Sequence, residues 1–274
     1  MGTKVVVVND CAHVFEDLIP LLTDKFDIQF VQRTRGLWSK TLGILWKILV
    51  AEGELFHVNY ALQDAFFADR LRHHLDILHV HGSDVRSTIH SKAYGWIVKS
   101  NLLHAKKVLY STPDLQDSVK SIREDAIYLP NPVRIDKFPL KTKYNEVPRA
   151  LYFRLNYEEL PVDLRNWLQT KGIHLTVMQK NIPYNKMAEV LENFDIYIDR
   201  FSIPSFSKTC LEAMSCGLAT IDYRHIGNLE ERVSFLANSS NVRTEGLENR
   251  KYIIEIHDAN KVADLLSKIW EEFR

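Results

Sequence analysis

The sequence has few cysteines, no excess of charge of either sign and no long apolar run. The three cysteines are Cys11, Cys210 and Cys216, and their odd number and spacing match neither a disulfide framework nor a zinc site. Lys plus Arg and Asp plus Glu each total 35, whereas a nucleic-acid-binding protein usually has a basic excess. No run of about 18 apolar residues is present, so we predict no membrane span. A reduced, cytoplasmic protein is the simplest expectation.

The order of the apolar segments predicts an α/β protein. Lys4–Val8 is a β-branched run without alternation, which is typical of a buried parallel strand. The helical spacing of His13–Asp24 and the alternation of Phe26–Gln32 then complete a strand–helix–strand unit. Further strands are predicted at Leu55–Asn59, Ile77–Val80, Lys107–Ser111, Ala126–Leu129, Ala150–Phe153, His174–Met178, Ile196–Ile198, Ala219–Asp222 and Tyr252–Ile256.

A polar segment, Lys141–Pro148, interrupts this alternation and predicts a domain boundary. We therefore expect an N-terminal domain at 1–143 and a C-terminal domain at 144–274, with the terminal helix Asp258–Phe273 packing back on the first. Each domain is predicted to be a Rossmann-like, doubly wound parallel sheet, which binds ligands outside the carboxyl ends of its strands. Two such domains facing each other would enclose a cleft.

The strongest candidate for a binding segment is Pro204–Asp222, which follows a predicted strand and opens a helix near Ser207. The free N–H groups and partial positive charge of a helix N-terminus receive phosphate oxygens well. Lys208 and Thr209 add a cation and a hydroxyl at this point. Glu212 lies one turn further on, where a carboxylate can accept hydrogen bonds from two sugar hydroxyls.

Phe206 and Leu211–Gly217 (LEAMSCG) resemble the donor-binding segment of retaining GT-B glycosyltransferases of family four, whose consensus is roughly E-G-F-G-x-x-x-L-E-A-M-A-x-G-x-P-V. The resemblance implies that Glu212 holds the nucleotide ribose and that the backbone around Ser207, Lys208 and Thr209 holds the diphosphate. Pro204 stands where the family has its first Glu, which contacts the donor sugar. A protein without catalytic activity is therefore the alternative.

A second segment, His79–Asp84 (HVHGSD), ends a predicted strand and resembles the His-Gly-x-Asp segment in the first domain of that family. The resemblance implies that His81 lies near the donor sugar and that Asp84 positions an acceptor hydroxyl, so these are the predicted catalytic residues. Gly82 lets the backbone approach a ligand closely. His79 is expected to be buried in the core.

Weaker matches to the family predict further contacts with the donor. Arg154 ends the first strand of the second domain, where the family has Gly-Arg, and a cation there neutralises the leaving diphosphate. The lysine that the family has after this arginine is absent, and Lys180 or Lys208 is the candidate to replace it. Ile182 and Tyr184 lie in a loop that resembles the family's V-P-x-x-E-L segment, and they are candidates to contact the base.

Two polar residues, Asn9 and His13, follow the first strand, where the family has a Gly-Gly loop. We expect them to contact the acceptor or the donor phosphate. No G-x-G-x-x-G pattern follows this strand, so an NAD-dependent enzyme is not expected.

The apolar segment Leu42–Val50 has two interpretations. A buried helix is the first, and a lipid-facing helix beside an acceptor site, in peripheral contact with a membrane, is the second. The residues that flank this segment and favour the second interpretation are Arg33, Arg35, Trp38 and Lys40.

The resemblance implies a glycosyltransferase, specifically a hexosyltransferase. It would move a sugar from a UDP, GDP or other nucleoside-diphosphate donor to a hydroxyl of a glycan, lipid or small-molecule acceptor, with retention of anomeric configuration. No metal or other cofactor is expected, because the helix dipole and cations stabilise the leaving diphosphate. Two alternatives stay open: a non-catalytic module that binds nucleotide sugars or glycans, and a nucleotide-sugar epimerase of the same fold.

Overall fold

A computed structural model describes residues 2–33, 42–72, 75–155 and 158–273. The chain forms two compact units. The first contains the residues up to Pro132 together with those from Ala259 on, and the second is Val133–Asp258. Arg35, Trp38 and Lys40 lie outside the described residues.

Each unit is built on one parallel sheet. In the first, the strands are β1 (Thr3–Val8), β2 (Phe26–Val31), β3 (Leu55–Asn59), β4 (Ile77–Val80), β5 (Lys107–Tyr110) and β6 (Ile127–Tyr128), in the order β2-β1-β3-β4-β5-β6. In the second, they are β7 (Arg149–Arg154), β8 (His174–Gln179), β9 (Ile196–Ile198) and β10 (Ala219–Ile221), in the order β10-β9-β7-β8. In both sheets the strand order reverses beside the first strand of the unit, which is where doubly wound folds bind ligands.

Helices connect the strands and cover both faces of each sheet. They are α1 (Val14–Leu22), α2 (Ile44–Val50), α3 (Gln63–Phe67), α4 (Ser83–Arg86), α5 (Gly95–His104), α6 (Gln116–Lys120), α7 (Val162–Thr170), α8 (Met187–Leu191), α9 (Lys208–Ser215), α10 (Leu229–Leu236), α11 (Ser239–Tyr252) and α12 (Ala259–Glu271). The prediction of a doubly wound α/β architecture is confirmed. Within the described ranges, no helix has the length and apolar character needed to cross a membrane.

The central strand β1 is buried on both faces, as its unbroken valine run predicts. Val5 and Val7 pack in the cluster that contains α1 and α12. Val6 and Val8 pack in the cluster on the opposite face, with α2 and α5. The alternation follows from the period of two along a strand.

The C-terminal helix α12 returns to the first unit because of its apolar stripe. Val262, Leu266, Ile269 and Trp270 recur at helical spacing and are buried in the cluster with α1. Trp270 is fully buried and meets Phe26 edge to face at 5.0 Å between ring centroids.

The division between the units lies earlier in the chain than predicted, after Pro132 rather than after residue 143. Lys141 comes from the segment predicted as a linker, and it is buried in the second unit. Its Nζ donates to Asp195 Oδ1 at 2.8 Å and to the carbonyl of Phe194 at 2.5 Å. A buried ammonium requires such partners, so this polar segment belongs to the packed structure and not to a linker.

The prediction of a strand at Tyr252–Ile256 is wrong. Helix α11 extends to Tyr252, and a π-helical turn follows it directly at Ile253–His257. Tertiary contacts decide the structure here. Asn249 donates to the carbonyl of Leu218 at 2.8 Å. Gly246 brings α11 so close to the backbone of Gly217 that a Cβ at position 246 would overlap the Gly217 carbonyl.

Candidate functional site

The first unit has a cavity of about 470 Å³ at the point where its strand order reverses, between the carboxyl ends of β1 and β3. Asn9 and Tyr60 follow these two strands directly, and both adopt a left-handed backbone, with φ of 62° and 71°. Such conformations are uncommon outside glycine and occur often at functional turns. The cavity is lined by Asn9, Asp10, Gln32, Arg33, Tyr60, Leu62, Asp64 and Ser83.

Asp64 fixes the polar wall of this cavity. Its buried carboxylate accepts a hydrogen bond from Asn9 Nδ2 and forms an ion pair with Arg33 Nη2 at 2.7 Å. The positive charge of Arg33 is therefore largely balanced within the protein. Asn9, predicted as a ligand contact, lies in the cavity wall with its amide nitrogen directed to Asp64.

Asp10 occupies the N-terminus of α1. Its two carboxylate oxygens accept from the backbone N–H groups of Phe15 at 2.9 Å and Glu16 at 3.1 Å. Burial raises the pKa of Asp10, and these hydrogen bonds partly oppose that effect. Doubly wound proteins often bind phosphate at this turn. Here an internal carboxylate already uses these two N–H groups.

His13 is the N-cap residue of α1 and has a left-handed backbone, with φ of 65°. Its Nδ1 lies 2.6 Å from Glu16 Oε2, and the side chain is exposed. It is not among the residues that line the cavity. The structure therefore separates the two predicted contacts, with Asn9 in the cavity wall and His13 outside it.

His81 follows β4, and its imidazole forms a hydrogen bond of 2.7 Å between Nε2 and Asn59 Oδ1. Asn59 Nδ2 donates to the carbonyls of Val8 and Asn9 at 3.2 and 2.9 Å, which fixes the orientation of the amide. Because Asn59 Oδ1 must accept, His81 carries its proton on Nε2. Burial lowers the pKa of His81 to about 3, so the ring is neutral, and its Nδ1 is buried without a hydrogen-bond partner among the described residues.

His79 and His57 extend this array of imidazoles into the core, on the same face of the sheet as α1 and α12. The His79 ring lies 4.1 Å from the His81 ring and 5.5 Å from the His57 ring, between centroids. His79 is buried, as predicted, and neither ring nitrogen has a hydrogen-bond partner among the described residues. Burial lowers the pKa of His57 to about 3 and that of His79 well below its usual value.

Asp84 joins the turns that follow β3 and β4. Its Oδ1 accepts from Gly82 and Val85 N–H groups at 2.9 and 3.1 Å, and its Oδ2 accepts from Ala61 N–H at 3.0 Å. The carboxylate is fully buried. Gly82 has φ of 139°, and a Cβ there would overlap the guanidinium of Arg86. This geometry makes Asp84 a residue that positions backbone around the cavity.

The second unit presents the N-terminus of α9 at the carboxyl edge of its sheet. Ser207 caps the helix, because its Oγ accepts from Cys210 N–H at 3.1 Å. Asp199, which follows β9, accepts from Ser207 N–H at 2.8 Å. Burial raises the pKa of Asp199, whereas its hydrogen bonds with Ser207 lower it.

Two lysines and Glu212 converge on the first turn of α9. Lys180 Nζ donates to Thr209 Oγ1 at 2.7 Å. Lys208 Nζ lies 3.7 Å from Glu212 Oε1, with both side chains buried. Burial lowers the pKa of Lys180, and Glu212 and Asp199 oppose this effect. We call Lys180, Asp199, Ser207, Lys208, Thr209 and Glu212 the α9 cluster.

Two arginines beside the α9 cluster were not predicted. Arg200 follows β9 next to Asp199, and its Nη2 lies 3.4 Å from Ser205 Oγ. Arg224 follows β10, pairs with Asp222 at 2.8 Å and lies over the Phe206 ring at 4.7 Å from the centroid. Their positions in the sequence could have indicated them, since both arginines come just after strands, where doubly wound sheets bind ligands.

The remaining donor candidates lie in two different places. Ile182 and Tyr184 pack against the same core cluster as Phe206, and the Tyr184 ring lies 5.8 Å from the Phe138 ring. Arg154 projects to the opposite face, because it alternates with Phe153, which belongs to that cluster. It lines a separate cavity of about 440 Å³ with Tyr152, Glu158, Glu159, Leu160, Val162, Arg165 and Val177. The structure therefore does not bring Arg154 together with Lys208.

Comparison with solved structures identifies the fold. Over 98% of both chains, the protein superposes on sucrose-phosphate synthase from Thermosynechococcus elongatus with a TM-score of 0.70 and 11% identity. A UDP-forming α,α-trehalose-phosphate synthase from Burkholderia xenovorans matches over 98% of both chains, with a TM-score of 0.65 and 7% identity. A glycosyltransferase from Rickettsia africae matches over 99% of this chain and 98% of its own, with a TM-score of 0.60 and 11% identity.

No protein-family model and no curated protein sequence matches the chain. The similar structures are GT-B glycosyltransferases. The predicted resemblance to GT-B proteins is therefore confirmed at the level of the fold. At these identities the likeness concerns the fold alone.

Proposed function

We propose that this protein is a glycosyltransferase that moves a sugar from a nucleoside-diphosphate donor to an acceptor hydroxyl. The observation that carries the proposal is the α9 cluster. In it, a capped helix N-terminus, two lysines and a buried carboxylate lie together at the carboxyl edge of the second sheet. A helix N-terminus and lysine ammonium groups suit a diphosphate, and a carboxylate suits the two hydroxyls of a ribose.

The names of similar structures support this proposal, since they include two synthases of sugar phosphates, one of them UDP-forming. We propose UDP or GDP as the nucleotide, a hexose as the transferred sugar and retention of configuration. The leaving diphosphate would be stabilised by Lys180, Lys208 and the α9 dipole without a metal ion.

The acceptor is proposed to enter the cavity of the first unit. Asn9 and Ser83, which line this cavity, would bind hydroxyls of the acceptor, and neutral His81 would hold the cavity wall in place through Asn59, whose amide donates to the carbonyl of Asn9. Because Asp10 already binds the N–H groups at the start of α1 and Asp64 balances Arg33, the cavity favours an uncharged, hydroxyl-rich acceptor over a phosphorylated one.

Calorimetry with UDP and GDP tests the donor site. We expect Glu212→Ala to weaken binding of the preferred nucleotide by about tenfold or more, because the ribose loses a charge-assisted acceptor. Lys180→Met should weaken binding by a similar factor, because the diphosphate loses a charge-assisted contact with the ammonium group. Lys186→Met, which removes an exposed lysine paired with Glu189, is the matched control and should leave affinity unchanged. Equal affinity for all four proteins would contradict the proposed site.

A non-catalytic binding module is the second candidate, favoured by Pro204 at the position where the family has its first Glu. Incubation with UDP and GDP sugars and a panel of neutral sugar acceptors separates the two functions. Product formation or donor hydrolysis supports the transferase. Nucleotide-sugar binding without turnover across the panel supports the module.

A further inference from the structure

Helix α2 is apolar on two sides. Ile44 and Ile48 are buried in the core of the first unit. On the other side Leu42, two residues before the helix, Trp46 and Val50 recur every four residues and are exposed, Trp46 by 66%. A surface helix normally carries polar residues on its outer side, so this outward stripe is unusual for a face that contacts only water.

The neighbouring helices extend this outward apolar surface. Helix α3 packs against both α2 and α5 on the same face of the sheet. On α5, Trp96 and Leu103 are 57% and 60% exposed. Phe66 of α3 meets the Trp96 ring edge to face at 5.7 Å. We call the exposed side chains of Leu42, Trp46, Val50, Trp96 and Leu103, together with the half-buried Phe66 of α3, the tryptophan face.

The tryptophan face is also basic, although the chain as a whole has no net charge. Within residues 42–50, 63–72 and 92–104 the acidic residues are Asp64 and Asp69. Asp64 is buried, so it contributes little to the outer surface. The basic residues of the same segments are Lys47, Arg70, Arg72, Lys92 and Lys99. Arg70 pairs with Asp69 at 3.5 Å, and the guanidinium of Arg72 donates to the carbonyls of Leu49 and Ala51, so Lys47, Lys92 and Lys99 are the cations of the rim.

We propose that the tryptophan face binds the surface of a lipid bilayer that contains anionic headgroups. Tryptophan favours the boundary between headgroups and acyl chains, where leucine and valine side chains can be buried. The lysines at the rim attract anionic lipids. The combination of exposed tryptophans with a basic rim is what distinguishes this surface from a purely apolar face.

The tryptophan face adjoins the cavity of the first unit. Asp64 of α3 lines the cavity, and Lys47 of α2 donates to the carbonyl of Gln32, another lining residue, at 3.0 Å. Binding to a bilayer would therefore hold the cavity close to the headgroup layer. The membrane proposal itself does not depend on the proposed transfer reaction.

Co-sedimentation of the full chain with phosphatidylcholine vesicles, with and without phosphatidylglycerol, tests the proposal. We expect binding to the anionic vesicles that weakens as salt increases. Lys99→Gln should weaken it about fivefold, and the Trp46→Ser, Trp96→Ser pair should abolish it. No binding to anionic vesicles, or equal binding to both compositions, would overturn the proposal.

Matched variants come from exposed apolar residues of the second unit. Val162→Ser and Phe235→Ser should sediment with anionic vesicles as the unchanged protein does. Analytical ultracentrifugation without lipid checks the other occupant of an apolar face, a second copy of the chain. A monomer supports the membrane proposal, and a dimer that Trp46→Ser dissociates would overturn it. Nucleotide calorimetry on the same variants reports separately on the proposed donor site.

Discussion

Trp270 donates its indole N–H to Nδ1 of His57 at 3.1 Å, and this bond joins the last turn of α12 to the centre of the first sheet. Both side chains are fully buried. Because Nδ1 accepts, the neutral His57 ring carries its proton on Nε2. Residues 213 positions apart in the chain thus form one hydrogen bond in the core of the first unit.

Trp270→Phe should destabilise the first unit by about 1–3 kcal/mol, because His57 Nδ1 would be left buried without a donor and the smaller ring would leave a void. Urea unfolding followed by circular dichroism measures the change. Trp167→Phe is the control, since Trp167 is only partly buried and lies in the second unit. An unchanged transition in Trp270→Phe would show that α12 does not stabilise the fold through this contact.

The repeating pattern of strands and helices could be predicted from sequence because burial dictates it. The valine run of β1 is β-branched and unbroken, which favours a buried strand, and the stripe of α12 recurs at helical spacing. The π-helical turn at Ile253–His257, directly after α11, could not be predicted this way. Its apolar run fits a strand equally well, and only the contacts of Gly246 and Asn249 with the preceding elements decide the outcome.

Part of the candidate site could also be predicted from the sequence. A motif on a single helix, such as Lys208 and Glu212, keeps its spacing in three dimensions, so their proximity could be predicted. The position of Arg154 could not, because moving by one residue along a strand changes the face. The occupation of the α1 N-terminus by Asp10 also escaped prediction, since it depends on the path of the turn and not on residue type.

Replacing His79 by leucine should reduce the loss of stability in acid. The pKa of His79 is lowered in the folded protein, whereas an ordinary histidine titrates near 6.5. Below pH 6.5 the unfolded chain therefore binds more protons than the folded one, and stability falls as the pH falls. Asp10 and Asp84, with raised pKa values, act in the opposite direction, but they are common to both proteins.

We expect His79→Leu to match the unchanged protein within about 1 kcal/mol at pH 7.5, because neither ring nitrogen has a hydrogen-bond partner among the described residues. At pH 5 the variant should be more stable by about 2 kcal/mol. Urea unfolding at the two pH values measures this difference. His90→Leu, at an exposed histidine, is the control variant. If the stability of His79→Leu and that of the unchanged protein fell equally between pH 7.5 and pH 5, the lowered pKa of His79 would be contradicted.

The buried ion pair of Lys141 and Asp195 should be sensitive to loss of one partner. The carboxylate also accepts from the backbone N–H groups of Asn145 and Arg149 at 3.1 and 2.9 Å, so it stays in place when the ammonium is removed. Lys141→Met should therefore cost about 3–5 kcal/mol in the second unit.

Urea unfolding of the full chain measures the effect of Lys141→Met. Lys186→Met, which breaks the exposed pair with Glu189, should cost less than about 1 kcal/mol. Similar small costs for both variants would mean that the segment around Lys141 is a linker after all.

Arg200 and Arg154, which lie at different places on the second sheet, should differ in their effect on nucleotide binding. Arg200 lies beside Asp199 and Lys180 in the neighbourhood of the α9 N-terminus, whereas Arg154 projects from the opposite face of β7. If the diphosphate binds at the α9 cluster, Arg200→Met should weaken nucleoside-diphosphate affinity by about tenfold, because one charge-assisted contact is lost. Arg154→Met should leave that affinity unchanged. Calorimetry of both variants with the same nucleotide decides the matter: a large loss in Arg154→Met with none in Arg200→Met would place the diphosphate at the cavity of Arg154 and Arg165 instead.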